Sequence, residues 1–317
     1  MSAILLGNGL NRCLPSYPSW DSLLMNIGNE FFSPVAGLAN PLLKYDVMLC
    51  DAYREYGSNN TDFRLRQLLK ELNIEDLSPD DTEFLAAILN SDVKTILTTN
   101  YDYNLETSLF HASNSSYRDE DLKYCYTYEE VASDKRCIRI SDLEIHHIHG
   151  ELNYPKSICL GITKYVDNLA KTVELLSPDK NQFPLTNLQK PIANEVFTRN
   201  GWKATWAELL FNTNIYIVGL GLSESELDLW WLLMRRAQLL SYEDLRDKIT
   251  NKIYYFKPYS DNGPSDTSSL EALHIKVKSF MVTDNDWRSA YLTIWNEIRR
   301  LESRAGNAGV SWKTVSN

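Results

Sequence analysis

Short apolar runs alternate along this chain with longer segments in which apolar residues recur every three or four positions. Such runs, bounded by glycine or polar residues, are typical of buried strands. They predict strands at residues 3–6, 93–97, 145–148, 158–160, 215–218, 252–256 and 275–280. Because helical patterns separate most of the runs, the sequence predicts an α/β fold with a doubly wound parallel sheet covered on both faces.

Between the first two predicted strands the pattern is helical throughout. Ser19 can cap the first helix, and Gly57 can end the second in the left-handed conformation. The predicted helices run over residues 20–32, from Asn40-Pro41 to Gly57, over 61–73 and over 79–90. Later in the chain, Ser223 and Glu226 have the spacing of a capping box for a helix to Leu240.

These patterns predict three parts of the chain. Residues 1–19 and 91–285 form a Rossmann-like catalytic domain, and residues 20–90 form a helical insertion. Residues 286–317 form a C-terminal amphipathic helix and tail. The apolar residues of that helix face one side and are predicted to pack on the domain or on a partner: Trp287, Tyr291, Ile294, Trp295 and Ile298.

The net charge of −10 opposes binding to nucleic acid, whose phosphates are bound chiefly by Lys and Arg. Segments of the roughly 20 apolar residues that a membrane span requires are absent from the sequence. Residues 1–6 are predicted to be a buried strand and not a signal peptide. We therefore expect a cytoplasmic protein with no direct nucleic-acid or membrane partner.

The five cysteines are widely spaced and include no Cys-x-x-Cys pair. This spacing predicts neither a disulfide framework nor a zinc ribbon. We expect the cysteines to be small buried side chains in a reducing compartment: Cys13, Cys50, Cys125, Cys137 and Cys159.

Two glycine-rich turns follow predicted strands, Gly7-Asn8-Gly9 and Gly219-Leu220-Gly221-Leu222-Ser223. Glycines at such turns let backbone N–H groups approach a pyrophosphate, and a dinucleotide has two halves to hold. The third glycine of the dinucleotide fingerprint is missing, since Arg12 stands there. Ordinary turns that use glycine only for its conformation are equally consistent with both stretches.

A polar turn, Thr98-Thr99-Asn100-Tyr101-Asp102, directly follows another predicted strand. Ligands bind at the carboxyl ends of strands in open α/β sheets, and a carboxamide can hold a ribose hydroxyl or a water with donor and acceptor together. Capping of the next helix by Asn100 or Asp102 is an alternative of at least equal weight.

Three of the five histidines cluster in His146-His147-Ile148-His149-Gly150. Strand alternation predicts His147 and His149 on one face and His146 on the other. A zinc site would pair His147 with His149, but no cysteine or carboxylate completes it at ligand spacing. A general acid or base at the strand end fits better, while His146 and His147 are equally consistent with structural roles.

Taken in order, the stretches LLGNGLNR, ILTTNYD, HIHG and YIVGLGLSESELD resemble the sirtuin-like NAD-consuming domains, particularly the bacterial ones of anti-phage immunity. The resemblance covers about residues 1–260. The chain departs from it at Asn8, where the family usually has alanine, and at Gly221, where serine is common. It also lacks the two Cys-x-x-Cys pairs of the protein-deacylating members.

The resemblance implies an NAD⁺ glycohydrolase that releases nicotinamide and ADP-ribose, with NAD as substrate and no metal. It implies catalytic roles for Asn100, His149 and Asp102. The residues implied to bind the nucleotide are Gly7, Asn8, Gly9, Asn11, Thr99, Tyr101, Gly219, Gly221 and Ser223. We expect an abortive-infection effector, homo- or hetero-oligomeric, that a sensor protein or nucleotide signal activates. The alternatives are a non-catalytic sensor of NAD or ADP-ribose and, less favoured, a deacylase.

Overall fold

The computed structural model describes residues 2–15, 17–31, 40–70, 72–74, 77–90, 92–113, 137–140, 142–154, 157–176, 205–260, 263 and 266–308. Among them, no helix is both long enough and apolar enough to cross a bilayer. The expected features that lie outside these residues are Cys125 and the tail after residue 308.

Seven strands form one sheet. They are β1 (Ser2–Leu6), β2 (Thr95–Thr98), β3 (Ile138–Ile140), β4 (Leu143–His147), β5 (Asn214–Val218), β6 (Ile253–Tyr259) and β7 (Ile275–Met281). Their order is β3-β4-β2-β1-β5-β6-β7, and every neighbouring pair is parallel except β3 with β4. The predicted α/β class and mostly parallel sheet are therefore confirmed.

The order of the strands reverses at β1. The chain builds the sheet outward from β1 through β2 and β4, then crosses to the other side of β1 and continues through β5, β6 and β7. Loops leaving the carboxyl ends of β1 and β5 therefore diverge, which opens a crevice between them. In sheets of this type a ligand binds in such a crevice, so we expect a binding site at this point.

Helices cover both faces of the sheet. The described helices are α1 (Trp20–Glu30), α2 (Pro41–Tyr56), α3 (Ser58–Lys70), α4 (Pro79–Ala86), α5 (Asn104–Ser113), α6 (Gly161–Leu175), α7 (Trp206–Asn212), α8 (Leu227–Leu240), α9 (Glu243–Arg246), α10 (Ser268–Ala272) and α11 (Trp287–Ala308). Ser19 caps α1 by accepting from the Ser22 N–H at 3.1 Å, as its position in the sequence predicted.

Alternate residues of each strand enter two different cores. Ile4 and Leu6 pack with helices α1 to α5 and α11, whereas Ala3 and Leu5 pack with α6, α7 and α8. Because the helical segment 20–90 shares its core with the sheet, its packing is inseparable from that of the strands. The division of the chain into three parts stays a prediction.

The last helix is joined to the first strand by polar contacts as well as by its apolar face. Ser2 Oγ donates to Glu302 at 2.7 Å, and the Tyr216 hydroxyl of β5 donates to the same carboxylate. Of the apolar residues predicted for this face, Tyr291, Ile294, Trp295 and Ile298 are buried, whereas Trp287 at the start of the helix is only half-buried.

Some local predictions were wrong. Residues 158–160 are buried but form no strand, because they pack against α2 and α6 beneath the site and the Cys159 N–H donates to the His149 carbonyl. Gly57 has φ of +74° but ψ of 160°, which lies outside the left-handed helical region. Cys137 and Cys159 are buried, whereas Cys50 on α2 is exposed.

The predicted capping box of α8 does not form. The helix begins at Leu227, and Glu226 makes no side-chain bond to its first turn. Ser223 Oγ instead lies 2.7 Å from Ser225 Oγ. The Glu226 carboxylate turns toward His149 and Tyr165, so a residue that resembled a cap belongs to the site.

Candidate functional site

A cavity of about 980 Å³ opens at the carboxyl edge of the sheet. Its walls come from the loops after β1, β2, β4 and β5 and from strand β6 itself, with contributions from α1, α2, α6 and α11. Sites for small molecules reach about 1,000 Å³, so the cavity is at the large end of that range. It lies at the reversal of strand order, where a doubly wound sheet binds its ligand.

Asn100 and His149 both line this cavity, although 48 residues separate them in the chain and they follow different strands. The carboxamide oxygen of Asn100 is buried and has no hydrogen-bond partner among the described residues, and the same holds for Asn8, which also lines the cavity. Buried polar atoms without partners are costly and rare. Two such oxygens in one cavity indicate a ligand that donates hydrogen bonds.

His147 holds the backbone of Asn100 in place. Its Nδ1 lies 2.7 Å from the Asn100 carbonyl, and its Nε2 lies 2.8 Å from the Glu106 carboxylate on α5. Burial alone would lower the pKa of His147, but the Glu106 charge and hydrogen bond outweigh it and raise the pKa to about 9. The structural role that the sequence left open for His147 is therefore the one observed.

His147 and His149 do not share surroundings, contrary to the alternation predicted for them. Strand β4 ends at His147, and a turn closed by the Gly150 N–H on the His147 carbonyl redirects the chain. His149 consequently contacts α8, whereas His147 contacts α5. A zinc site that pairs these two histidines has no geometric basis.

Asp102 lies beneath the cavity and does not line it. Its buried carboxylate accepts from Asn11 Nδ2 at 2.9 Å, from the Tyr17 hydroxyl at 2.6 Å and from the Asn104 N–H at 3.1 Å. Burial raises the pKa of Asp102, although the Tyr17 hydrogen bond partly opposes the rise. Asp102 and Asn11 thus fasten the loops after β1 and β2 to each other and hold the cavity wall.

His149 is held by a buried carboxylate. Its Nε2 lies 3.0 Å from Asp228 Oδ2 in the first turn of α8, and Asn168 of α6 donates to the same oxygen at 2.6 Å. On the other side of the ring, Nδ1 lies 3.6 Å from the Glu226 carboxylate. The ring of Tyr165 packs edge-on against the imidazole with 5.3 Å between ring centres.

These carboxylates determine the charge of His149. Burial alone would lower its pKa, but the charge and hydrogen bond of Asp228, with the charge of Glu226, raise the pKa to about 9. In the same group, burial raises the pKa of Glu226, whereas for Asp228 the histidine outweighs burial and lowers the pKa. His149 is therefore largely a cation at neutral pH, and the general acid or base role predicted for it stays a prediction.

The two glycine turns pack directly against each other. The Gly7 N–H donates to the Val218 carbonyl at 2.9 Å, and the Gly9 N–H donates to the Gly219 carbonyl at 2.7 Å. A Cβ on Gly7 would lie 2.5 Å from the Leu220 Cα. Glycine is required here by protein packing, and these two amides are bonded within the protein, so they do not cradle a pyrophosphate as expected from the sequence.

Of the residues that the sequence implied for nucleotide binding, some line the cavity and some do not. Most line the cavity: Asn8, Gly9, Thr99, Tyr101, Gly219, Gly221 and Ser223. Gly7 and Asn11 do not line it and lie behind its wall. Gly221 has open space around its Cα, so a side chain could be accommodated there.

Sequence reasoning missed several residues of the site. Arg12 and Lys257 are cations that line the cavity, and neither forms an ion pair among the described residues. Glu226 and Asp228 were part of a recognised stretch, but nothing in their spacing indicated a histidine 77 residues away or more. Only the fold brings them to His149.

Two groups of described side chains could geometrically hold a metal ion: Cys137 with Glu144 and His146, and His149 with Glu226 and Asp228. In the second group the atoms lie within 4.8 Å of one another. Hydrogen bonding between a charged imidazole and its carboxylates accounts for that closeness without an ion.

Part of the chain matches a known protein family. Residues 94–277, more than half of the chain, match the model of a family described as SIR2-like domains. No curated protein matches the chain. The matched region runs from just before β2 to within β7 and includes Asn100, His149, Glu226 and Asp228.

Proposed function

Because the chain belongs to the SIR2-like domain family, which uses NAD as a substrate, we propose that it is an NAD⁺ glycohydrolase. It cleaves the bond between nicotinamide and ribose and releases nicotinamide and ADP-ribose. The observation that carries the proposal is the meeting of Asn100 and His149 in one cavity at the sheet reversal. We expect the protein to act in the cytoplasm.

The cavity suits an elongated anion that can also donate hydrogen bonds. Arg12 and Lys257 supply positive charge for a pyrophosphate in a chain whose net charge is −10. The unpartnered oxygens of Asn8 and Asn100 can accept from ribose hydroxyls or from the nicotinamide amide. With the reacting ribose beside Asn100, the adenosine half extends past the glycine turns toward Lys257.

Cleavage expels neutral nicotinamide and leaves positive charge spread over the ribose ring oxygen and its C1′ carbon. A site that catalyses this step must hold the ribose, orient a water and stabilise the charge. Asn100 can orient the water through its carboxamide. The cluster of His149, Asp228 and Glu226 carries one positive and two negative charges when all three are ionised, so its net charge of about −1 favours the oxocarbenium ion.

The test uses purified protein, with its activating partner or signal supplied, and NAD⁺, and nicotinamide and ADP-ribose are separated by chromatography. Asn100→Ala and His149→Ala should each reduce the release of nicotinamide by at least about 100-fold. Matched controls are Asn59→Ala and His111→Ala, which change exposed residues of α3 and α5. Turnover near the wild-type rate in both site variants would disprove the assignment.

A non-catalytic sensor is the second candidate, and the charged state of His149 favours it, because a protonated histidine cannot accept a proton. A sensor would bind ADP-ribose or NAD⁺ in calorimetry and release no nicotinamide, even with a partner present. A deacylase would instead act on an acyl-lysine peptide, which the absence of Cys-x-x-Cys pairs from the sequence disfavours.

We further propose that the enzyme is an effector of anti-phage defence through abortive infection. Continuous loss of NAD would kill the host cell, so the activity has to be latent until a partner protein or nucleotide signal switches it on, with assembly into an oligomer as the switch. Expression of the chain in uninfected cells should leave NAD levels unchanged. A fall in NAD without infection would disprove the latency.

A further inference from the structure

Glu226 is the member of the His149 cluster that faces the cavity. The side chains of His149 and Asp228 are 1% and 0% exposed, whereas that of Glu226 is 18% exposed. Its carboxylate lies 3.6 Å from His149 Nδ1 and accepts a hydrogen bond from the Tyr165 hydroxyl at 3.2 Å. A proton that leaves a bound substrate therefore meets Glu226 before it meets the imidazole.

His149 is poorly suited to receive that proton. With Nε2 directed at Asp228, a charged imidazole has both of its nitrogens protonated. A catalytic base must be unprotonated at the working pH, and carboxylates on a site wall meet this condition when a cation lies beside them. The geometry thus separates the group that holds charge from the group that can accept a proton.

We propose that Glu226 is the proton acceptor of the glycohydrolase reaction, that the His149 cation beside it favours its ionised form, and that Asp228 positions His149. This inference rests on the proposed function. It assigns Glu226, which the sequence suggested only as a helix cap, to the reacting centre. Asp228 is a positioning residue that acts through His149.

The step balances as follows. The C1′–N bond of NAD⁺ breaks, and both of its electrons go to the pyridine nitrogen, which becomes neutral nicotinamide. The oxygen of a water oriented by Asn100 bonds to C1′, and one proton of that water passes to the Glu226 carboxylate. ADP-ribose keeps the other proton in its C1′ hydroxyl, and Glu226 later releases its proton to solvent.

The groups around Glu226 come from several elements. His149 and Asp228 are its charged neighbours, from the loop after β4 and from α8. The phenols of Tyr165 and Tyr101 and the Cys159 thiol also face it, and burial raises the pKa of each well above neutrality. These three are therefore uncharged at neutral pH, so the titration of Glu226 depends chiefly on His149 and Asp228.

The experiment compares Glu226→Gln with the wild type and with Glu243→Gln, which removes the same charge from an exposed position on α9. We expect kcat for nicotinamide release to fall about 100-fold or more in Glu226→Gln, while the Kd for ADP-ribose measured by calorimetry changes less than about threefold. The acidic limb of the pH–rate profile should disappear with the carboxylate. Glu243→Gln should match the wild type in all three measurements.

A second measurement does not depend on turnover. In a ¹³C-histidine NMR titration, Glu226→Gln should lower the pKa of His149 by about one unit or more, because an opposite charge within about 4 Å is lost. His149→Gln identifies the resonance. Glu243→Gln should leave this titration unchanged.

The outcomes separate the two proposals. If the wild type hydrolyses NAD⁺ and Glu226→Gln does so within threefold and with the same pH profile, the assignment of Glu226 is wrong and the glycohydrolase stands. If Glu226→Gln leaves the pKa of His149 unchanged, the coupling is wrong as well. If the wild type, with its partner and signal supplied, releases no nicotinamide, the proposed function fails and this inference fails with it, whatever the titration shows.

Discussion

The buried pair of His147 and Glu106 provides a sharp test of how the loop after β2 is held. The two side chains are 2% and 1% exposed, and 2.8 Å separates His147 Nε2 from Glu106 Oε1. Glu106→Gln keeps the shape and a hydrogen-bonding group but removes the charge. We predict that this change destabilises the protein in a way that depends on pH.

The magnitude follows from the pKa of His147, which rises from an ordinary value of 6.5 to about 9. At about 1.4 kcal/mol per pKa unit, the charged pair contributes on the order of 3 kcal/mol to the unfolding free energy. Between pH 6.5 and 9 the folded protein holds this proton and the unfolded chain has lost it. The contribution is therefore fully present below pH 6.5 and is lost as the pH rises through 9.

The assay is urea denaturation of both proteins at several pH values from 6.5 to 9. The loss caused by Glu106→Gln should be about 3 kcal/mol at pH 6.5 and under about 1 kcal/mol at pH 9, since the slope per histidine is about 1.4 kcal/mol per pH unit. His149 titrates in the same window in both proteins and cancels in the difference. Nicotinamide release should also fall, because His147 holds the Asn100 carbonyl.

The control is Glu30→Gln, which breaks the exposed pair of Glu30 with Arg64. Exposed ion pairs contribute about 0–1 kcal/mol, and arginine does not titrate in this range, so the loss should be small and independent of pH. A loss in Glu106→Gln that is equally large at pH 6.5 and 9 would refute the charged pair. It would mean that only shape and hydrogen bonding matter there.

Three further predictions concern the cavity walls. Gly9→Ala should destabilise the protein by about 1–3 kcal/mol in thermal unfolding, because the new Cβ would overlap the Tyr291 hydroxyl and the other glycine turn. Gly221→Ala is the control, and its stability should stay within about 0.5 kcal/mol of the wild type, because the space around Gly221 is open. Asp102→Asn should lower the free energy of unfolding by about 1–3 kcal/mol in urea denaturation and should weaken ADP-ribose binding. Tyr17→Phe removes only one donor to Asp102 and should lower it less. Equal stability of Asp102→Asn and the wild type would contradict the loop-fastening role. Treatment with EDTA should leave nicotinamide release within about twofold, whereas a loss that a divalent cation restores would make the histidine–carboxylate cluster a metal site.

The central strands were predictable because their residues are buried on both faces, whereas β3, a three-residue edge strand with an exposed Arg139, was not predicted. Ile4 and Leu5 enter different cores, so the strand pattern is continuously apolar, and glycine marks its end. Residues 158–160 show the limit of this signal, since the same apolar run is buried under the site without pairing in the sheet. An apolar pattern reports burial and does not report which neighbour buries it.

Asn100 and His149 were recognisable as candidates because each lies two residues beyond the end of a strand, and their catalytic roles stay predictions. Glu226 and Asp228 were not, because their role depends on the position of α8 against the loop after β4, a contact between segments 77 residues apart or more. The spacing of Ser223 and Glu226 also favoured a local cap over the tertiary contact that the fold provides. A local sequence pattern does not show which distant charged residue a side chain contacts in the folded protein.

The attachment of α11 to β1 has a consequence for protein synthesis. Trp287 and Tyr291 form part of the cavity wall, and Glu302 bonds to Ser2, so a helix far along the chain completes both the first strand and the cavity. A chain still on the ribosome therefore lacks this side of the cavity until α11 has emerged.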